Sequence, residues 1–128
     1  SRYYEIDGIV EKGFQRGRNL GFPTINIELK NTIVPKHGVY AVLIKILSHN
    51  KQRTLKGAAS IGSRPTYGDY EPNIEVFIFD FDENLYGEYV SISLVKFIRP
   101  ELKFNSEIEL ISQMKADCET IEDLLDND

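Results

Sequence analysis

The 128-residue chain is poor in the side chains that staple or ligate. It has one cysteine, Cys118, and two histidines, His37 and His49. A single cysteine excludes an internal disulfide framework and points to a reducing compartment. Three such residues are too few for a zinc cluster. No uncharged run reaches the roughly 18 residues of a membrane helix. No basic stretch precedes an apolar one in the manner of a signal peptide. Neither GxxxxGKS/T nor GxGxxG occurs, so the sequence encodes neither a P-loop nor a Rossmann turn. The first residue is Ser1 and the single methionine is Met114, so we expect an excised piece or a processed product.

What is present is ordinary for a soluble globular chain: 41% hydrophobic and 27% charged residues. One composition regime and this length imply a single domain over 1–128, able to bury roughly two-thirds of its unfolded surface. The charge is uneven. The whole chain carries −5, but residues 101–128 hold nine acids and two bases, leaving a net +2 on residues 1–100. The acidic end suits a solvated helix and tail. The basic residues Lys12, Arg16 and Arg18 sit among glycines, which suits a phosphate ligand better than a nucleic-acid face.

Strand signals fill the first hundred residues. Tyr4–Val10, Thr24–Leu29, Gly38–Leu47, Arg53–Ile61 and Ile74–Phe81 are rich in β-formers, and the last strong strand signal lies within Tyr86–Ile98. Residues 48–51 make a polar turn that joins two strands as a hairpin. Pro100 ends the strand region. Ser106 and Glu109 form a capping box, and Ile108, Ile111, Met114, Cys118 and Ile121 recur at helical spacing. The acidic end, 117–128, either continues as a second short helix or frays. About six strands followed by a helix imply an antiparallel barrel or sandwich with a helix packed on it.

Three features carry chemistry. Residues 13–26 read GFQRGRNLGFPTIN, with Gly13, Gly17 and Gly21 four apart and arginines between them. Glycines let backbone N–H groups approach an anion, and arginines offer forked donors to phosphate oxygens. The competing reading is a loop with solvated arginines. Thr24 and Asn26 share one strand face, and their neutral oxygens suit Mg²⁺, which completes its shell with water and nucleotide phosphates. The competing reading is two ordinary polar residues on an exposed strand. Glu75 interrupts an apolar strand and shares its face with Phe77 and Phe79. Burial of an acid on such a face disfavours its charged form, which suits it to act as a general base. The competing reading is an edge-strand acid facing water. Asp80 and Asp82 read as turn residues.

Taken together, GRNLGFPTIN, GVYAV, SIGSRPTYG, IEVFIFDF, LYGEYVSI, FIRPELKFNS and a closing helix with QMKAD resemble the riboflavin kinase (flavokinase) family, in order, from about Tyr3 to about Leu125. The resemblance implies a Greek-key β-barrel of about six strands with a C-terminal helix. It also implies ATP-dependent phosphorylation of the riboflavin 5′-hydroxyl to give FMN and ADP, in the cytoplasm. Carried over by motif, Thr24 and Asn26 would hold Mg²⁺ or another divalent cation, and Glu75 would be the catalytic base. Lys12, Gly13, Gly17, Arg18, Gly21 and Thr24 would attend the ATP, and Arg99 and Phe104 the flavin. The opening SRYYEIDG resembles the junction that follows an FMN adenylyltransferase domain in bifunctional enzymes, so such a domain is the expected partner. Nucleic acid and membrane are not expected as partners.

Three positions depart from the family pattern. Ile25 replaces a commonly small residue, Ser60 stands where asparagine is frequent, and Phe77 stands where histidine is frequent. Two other classes compete with the enzyme: a flavin-binding barrel that does not catalyse, and a structural barrel, like those in translation factors, whose glycine loop is only a turn.

Overall fold

The computed structural model describes residues 3–11, 24–28, 34–48, 53–66, 69–81 and 83–126. Six strands and one long helix appear among them: β1 (Tyr4–Glu11), β2 (Thr24–Glu28), β3 (Gly38–Ile46), β4 (Thr54–Thr66), β5 (Asp69–Ile78), β6 (Tyr89–Arg99) and α1 (Glu107–Asp126). The strands close into a barrel in the order β1-β2-β5-β4-β3-β6, with every ladder antiparallel. Strands β3, β4 and β5 follow one another, and β6 returns beside β3, which is the Greek-key arrangement. Closure gives every strand a neighbour on both sides among the described residues.

Alternation decides which residues fill the barrel. Ile27, Val42, Ile44, Ile61, Ile74, Val76, Val90 and Ile92 point inward and are fully buried. Branched side chains dominate because they are stiff and pack well on a pleated surface. Ile25 also packs against this core, so its bulk points away from Thr24 and Asn26. Strand β4 runs on to Thr66 and β5 begins at Asp69, so both are longer than their sequence signals, with ladder pairs as far as Thr66 and Asp69. The β5 strand stops at Ile78 rather than Phe81, and Asp80 takes a left-handed φ of 53° in the turn that follows.

The β3–β6 ladder shifts register twice, between Val39 and Tyr40 and between Ala41 and Val42. Tyr40 faces Phe97 while Val39 faces Arg99, and Val42 faces Leu94 while Ala41 faces Lys96. Each shift inserts one extra residue into β6, Ile98 and Val95, as a bulge does. Both extra side chains join the apolar cluster under the helix. A Cβ at Gly38 would collide with the Arg99 carbonyl oxygen and the Phe97 ring, and its φ of +149° suits glycine. The close approach at the Ile98 bulge therefore depends on that residue.

The helix packs on the outer face of the barrel. Ile121 and Leu125 meet Ala41, Leu43, Ala58, Phe79, Val95 and Ile98. The Ser106 hydroxyl accepts the Glu109 N–H at 3.2 Å, as the capping box requires, while the Glu109 carboxylate takes the Asn105 N–H at 3.0 Å. The helix is continuous to Asp126, so residues 117–126 form neither a second helix nor a frayed tail.

Two expectations for this helix need correction. Ile108 is 80% exposed, because the first turn lies beyond the part of the helix that meets β3 and β4. Asp117, counted with the solvated acids, is 6% exposed. Its carboxylate takes Arg99 Nε at 3.0 Å and Arg99 Nη2 at 2.7 Å, and the Gln113 amide at 2.9 Å. This forked pair ties the helix to the end of β6.

Removing one partner of a buried ion pair strands the other charge and costs about 3–5 kcal/mol. Asp117→Ala should therefore lower the urea midpoint by an amount worth that range, with an unchanged m-value, in a two-state melt. Burial, together with the charges of Asp117 and Glu122, pushes the Cys118 thiol up to about 11. Only the thiolate reacts with alkylating agents. Iodoacetamide should thus modify the native protein at pH 8 far more slowly than the urea-unfolded chain, and the native rate should climb as the pH approaches 11.

Candidate active site

The outward side chains of the barrel form ordered rows. One row crosses five strands by register: Asn26 faces Glu75, Glu75 faces Ser60, Ser60 faces Val39, and Val39 faces Arg99. Paired residues in an antiparallel ladder lie on the same face, and adjacent strands are about 4.8 Å apart. The row therefore sets Glu75 next to Asn26 and carries Arg99 roughly 14 Å away, three strand steps along. The next row holds Thr24, Phe77 and Ala58.

A cleft of about 580 Å³ opens on these rows. Its floor is the outer face of β4, where Ala58 and Ser60 are small. Thr24, Glu75 and Phe77 bound it on one side. Val39, Arg99 and the segment Glu101–Phe104 bound it on the other. Leu110, Met114, Asp117 and Cys118 of α1 form its roof. The apolar stripe of the helix is thus divided in two. Its N-terminal half faces the cleft, and its C-terminal half packs on the barrel.

At the polar end, the Thr24 hydroxyl donates to Glu75 Oε1 at 2.8 Å. Asn26 is 2% exposed, and its Oδ1 accepts the Asn73 amide at 3.3 Å. A hydroxyl that gives its proton to Glu75 keeps lone pairs for a cation, and an amide oxygen with one donor keeps another. No cluster of three or more His, Cys, Asp or Glu able to hold a metal exists among the described residues. A set of two neutral oxygens beside one carboxylate suits Mg²⁺, which leaves most of its shell to phosphate and water. Glu11 pairs with Asn26, so the end of β1 and the start of β2 lie beside this corner. Lys12, Gly13, Gly17, Arg18 and Gly21 themselves lie outside the described residues.

At the far end, Phe104 lines the cleft with its ring 6.0 Å from the Arg99 guanidinium. Arg99 also donates to the Pro100 carbonyl at 3.0 Å. Its donors are thus largely engaged by Asp117 and the backbone, and the group acts as a fixed wall rather than a free cation. His37 Nδ1 lies 3.1 Å from Glu101 Oε1 and ties the start of the 101–104 segment to the entry of β3.

The structure therefore brings Thr24, Asn26 and Glu75 together, and Arg99 and Phe104 stand together at the opposite end. Sequence reasoning missed Asp117 and the helix roof. An acid inside the apolar stripe, one turn after Gln113, was the available signal.

Comparison with known proteins follows the same line. The sequence model of the riboflavin kinase (Flavokinase) family matches residues 1–125. The chain is 43% identical over 116 residues to the bifunctional riboflavin kinase/FMN adenylyltransferase of Listeria monocytogenes, which covers 89% of this chain and 36% of that protein. The chain thus spans about a third of the length of such relatives. A solved structure described as a macrolide-efflux protein from Streptococcus pneumoniae superposes with a TM-score of 0.79 at 37% identity, covering 90% of this chain and 37% of that one. The riboflavin kinase of Trypanosoma brucei superposes with a TM-score of 0.68 at 23% identity, over 98% of this chain and 82% of that one, which speaks for the fold. With the family model covering nearly all its residues and the six-strand barrel matching, the chain belongs to the riboflavin kinase (flavokinase) family.

Proposed function

We propose that this chain transfers the γ-phosphoryl group of ATP to the 5′-hydroxyl of riboflavin, giving FMN and ADP. The observation that carries the reading is the meeting of Thr24 and Glu75 in one wall of a cleft, with Asn26 paired to Glu75 in the neighbouring strand and with Val39, Phe104 and Met114 towards the other end. Phosphoryl transfer asks chiefly for alignment and charge neutralisation. A flavin ring between Val39, Phe104 and Met114 would place its polyol chain toward Glu75. As the 5′-oxygen bonds to the γ-phosphorus and the bond to the ADP oxygen breaks, the hydroxyl proton passes to the Glu75 carboxylate. Thr24, by donating to Oε1, fixes that carboxylate and leaves Oε2 for the incoming hydroxyl. Thr24 and Asn26 would hold a divalent cation, Mg²⁺, which supplies charge neutralisation on the nucleotide phosphates. The glycine–arginine segment from Lys12 to Gly21 would cover the nucleotide.

We further read the chain as the kinase portion of a bifunctional protein, with an FMN adenylyltransferase unit as its partner. The support is the naming and greater length of relatives such as that of Listeria monocytogenes.

Incubation with riboflavin, ATP and Mg²⁺, followed by chromatography, should yield FMN and ADP in equal amounts. Tight flavin binding without ATP consumption would instead identify a non-catalytic flavin module. Glu75→Gln keeps the shape and removes the base, so kcat should fall about 10²–10⁴-fold while riboflavin binding persists in a fluorescence titration. Near-normal turnover would remove Glu75 from this role. Asn26→Ala should weaken Mg-dependent nucleotide binding about tenfold or more. Calorimetry showing unchanged Mg-ATP affinity would reject the ligand assignment.

A further inference from the structure

The cleft floor contains one polar side chain. Along the outer face of β4, Ser60 sits between Ala58 and Gly62, so neither neighbour on its own strand offers a hydrogen bond. Ser60 is exposed although it lies in the middle of a barrel strand, flanked by the buried Ala59 and Ile61. Among the described residues, no hydrogen bond engages its hydroxyl. By register it is one strand step from Glu75 on one side and one step from Val39 on the other, about 4.8 Å each way.

We infer that Ser60 is the residue that reads the polyol chain of the substrate, accepting from or donating to a hydroxyl between the reacting 5′-oxygen and the ring. The inference rests on the riboflavin kinase reading and deepens it. With the 5′-hydroxyl at Glu75 and the ring at Val39 and Phe104, the five-carbon chain crosses the step in between, directly over Ser60. Ala58, Gly62 and Val39 can contribute contact there but no polar recognition. A hydroxyl suits the task because it donates and accepts by rotation, and so can match a secondary alcohol in either sense. Small neighbours also matter. A larger side chain at Ala58 or Ser60 would rise into the cleft where the chain must pass. Ser60 is thus a specificity residue for the polyol, distinct from the base and from the wall that holds the ring.

The test compares two ligands on one protein. Riboflavin carries the polyol; lumiflavin has the same ring with a methyl group in its place. Loss of a neutral hydrogen bond corresponds to roughly a three- to tenfold change in an equilibrium constant. Ser60→Ala should weaken riboflavin binding by about that factor and leave lumiflavin binding unchanged in fluorescence titrations. An equal loss for both ligands would make Ser60 a matter of packing and overturn the inference, as would an unchanged riboflavin affinity in Ser60→Ala. Failure of the unaltered chain to bind riboflavin at all would instead overturn the functional reading, and the inference with it.

Discussion

A closed barrel of six strands has no room inside for anything but its own side chains. Ile27, Ile44, Ile46, Ile61, Ile74, Ile92, Val42, Val76 and Val90 are fully buried in its core. Any ligand must therefore be met on the outer face, and the residues that meet it are set by the alternation of the strands. That one constraint places Asn26, Glu75, Ser60, Val39 and Arg99 in a row, polar at one end and walled at the other. An open barrel face is not yet a cleft. The roof comes from α1, and the far wall from the segment between β6 and the helix.

The Arg99–Asp117 pair connects these parts. Two bulges in β6 shift its register so that Ile98 packs under the helix and Arg99 reaches the outer face beside Val39. Asp117 then takes the guanidinium by its fork. The side chains of the pair are 15% and 7% exposed, so each charge is shielded from water and depends on the other. The contact that anchors the helix thus also stiffens the wall of the cleft. A buried acid in an otherwise acidic, solvated helix has the same explanation, since its partner arrives from a strand end.

Much of this was legible in the chain itself. The alternation around Glu75 named its face correctly, because Ile74 and Val76 could only point inward. The spacing of Thr24 and Asn26 placed both on that face. The capping pair Ser106 and Glu109 marked the helix start. Less legible were the ends of β4 and β5, where residues such as Pro65, Asp69 and Pro72 disguise a ladder that cross-strand pairing sustains. The helical stripe was read as one surface. It serves two, because its first half reaches past the barrel and over the cleft, leaving Ile108 in solvent.

By itself the sequence determined the alternation, hence the inward set of branched residues and the outward set of chemical groups, because side-chain direction in a strand follows from position alone. It also determined the helix start, through local backbone bonding. Only the tertiary structure decided which outward residues meet. The convergence of Glu75 with Thr24 and Asn26, the placement of Ser60 one step from Glu75, and the capture of Arg99 by Asp117 each depend on register between strands far apart in the chain. Register is a property of pairing, which no residue carries alone.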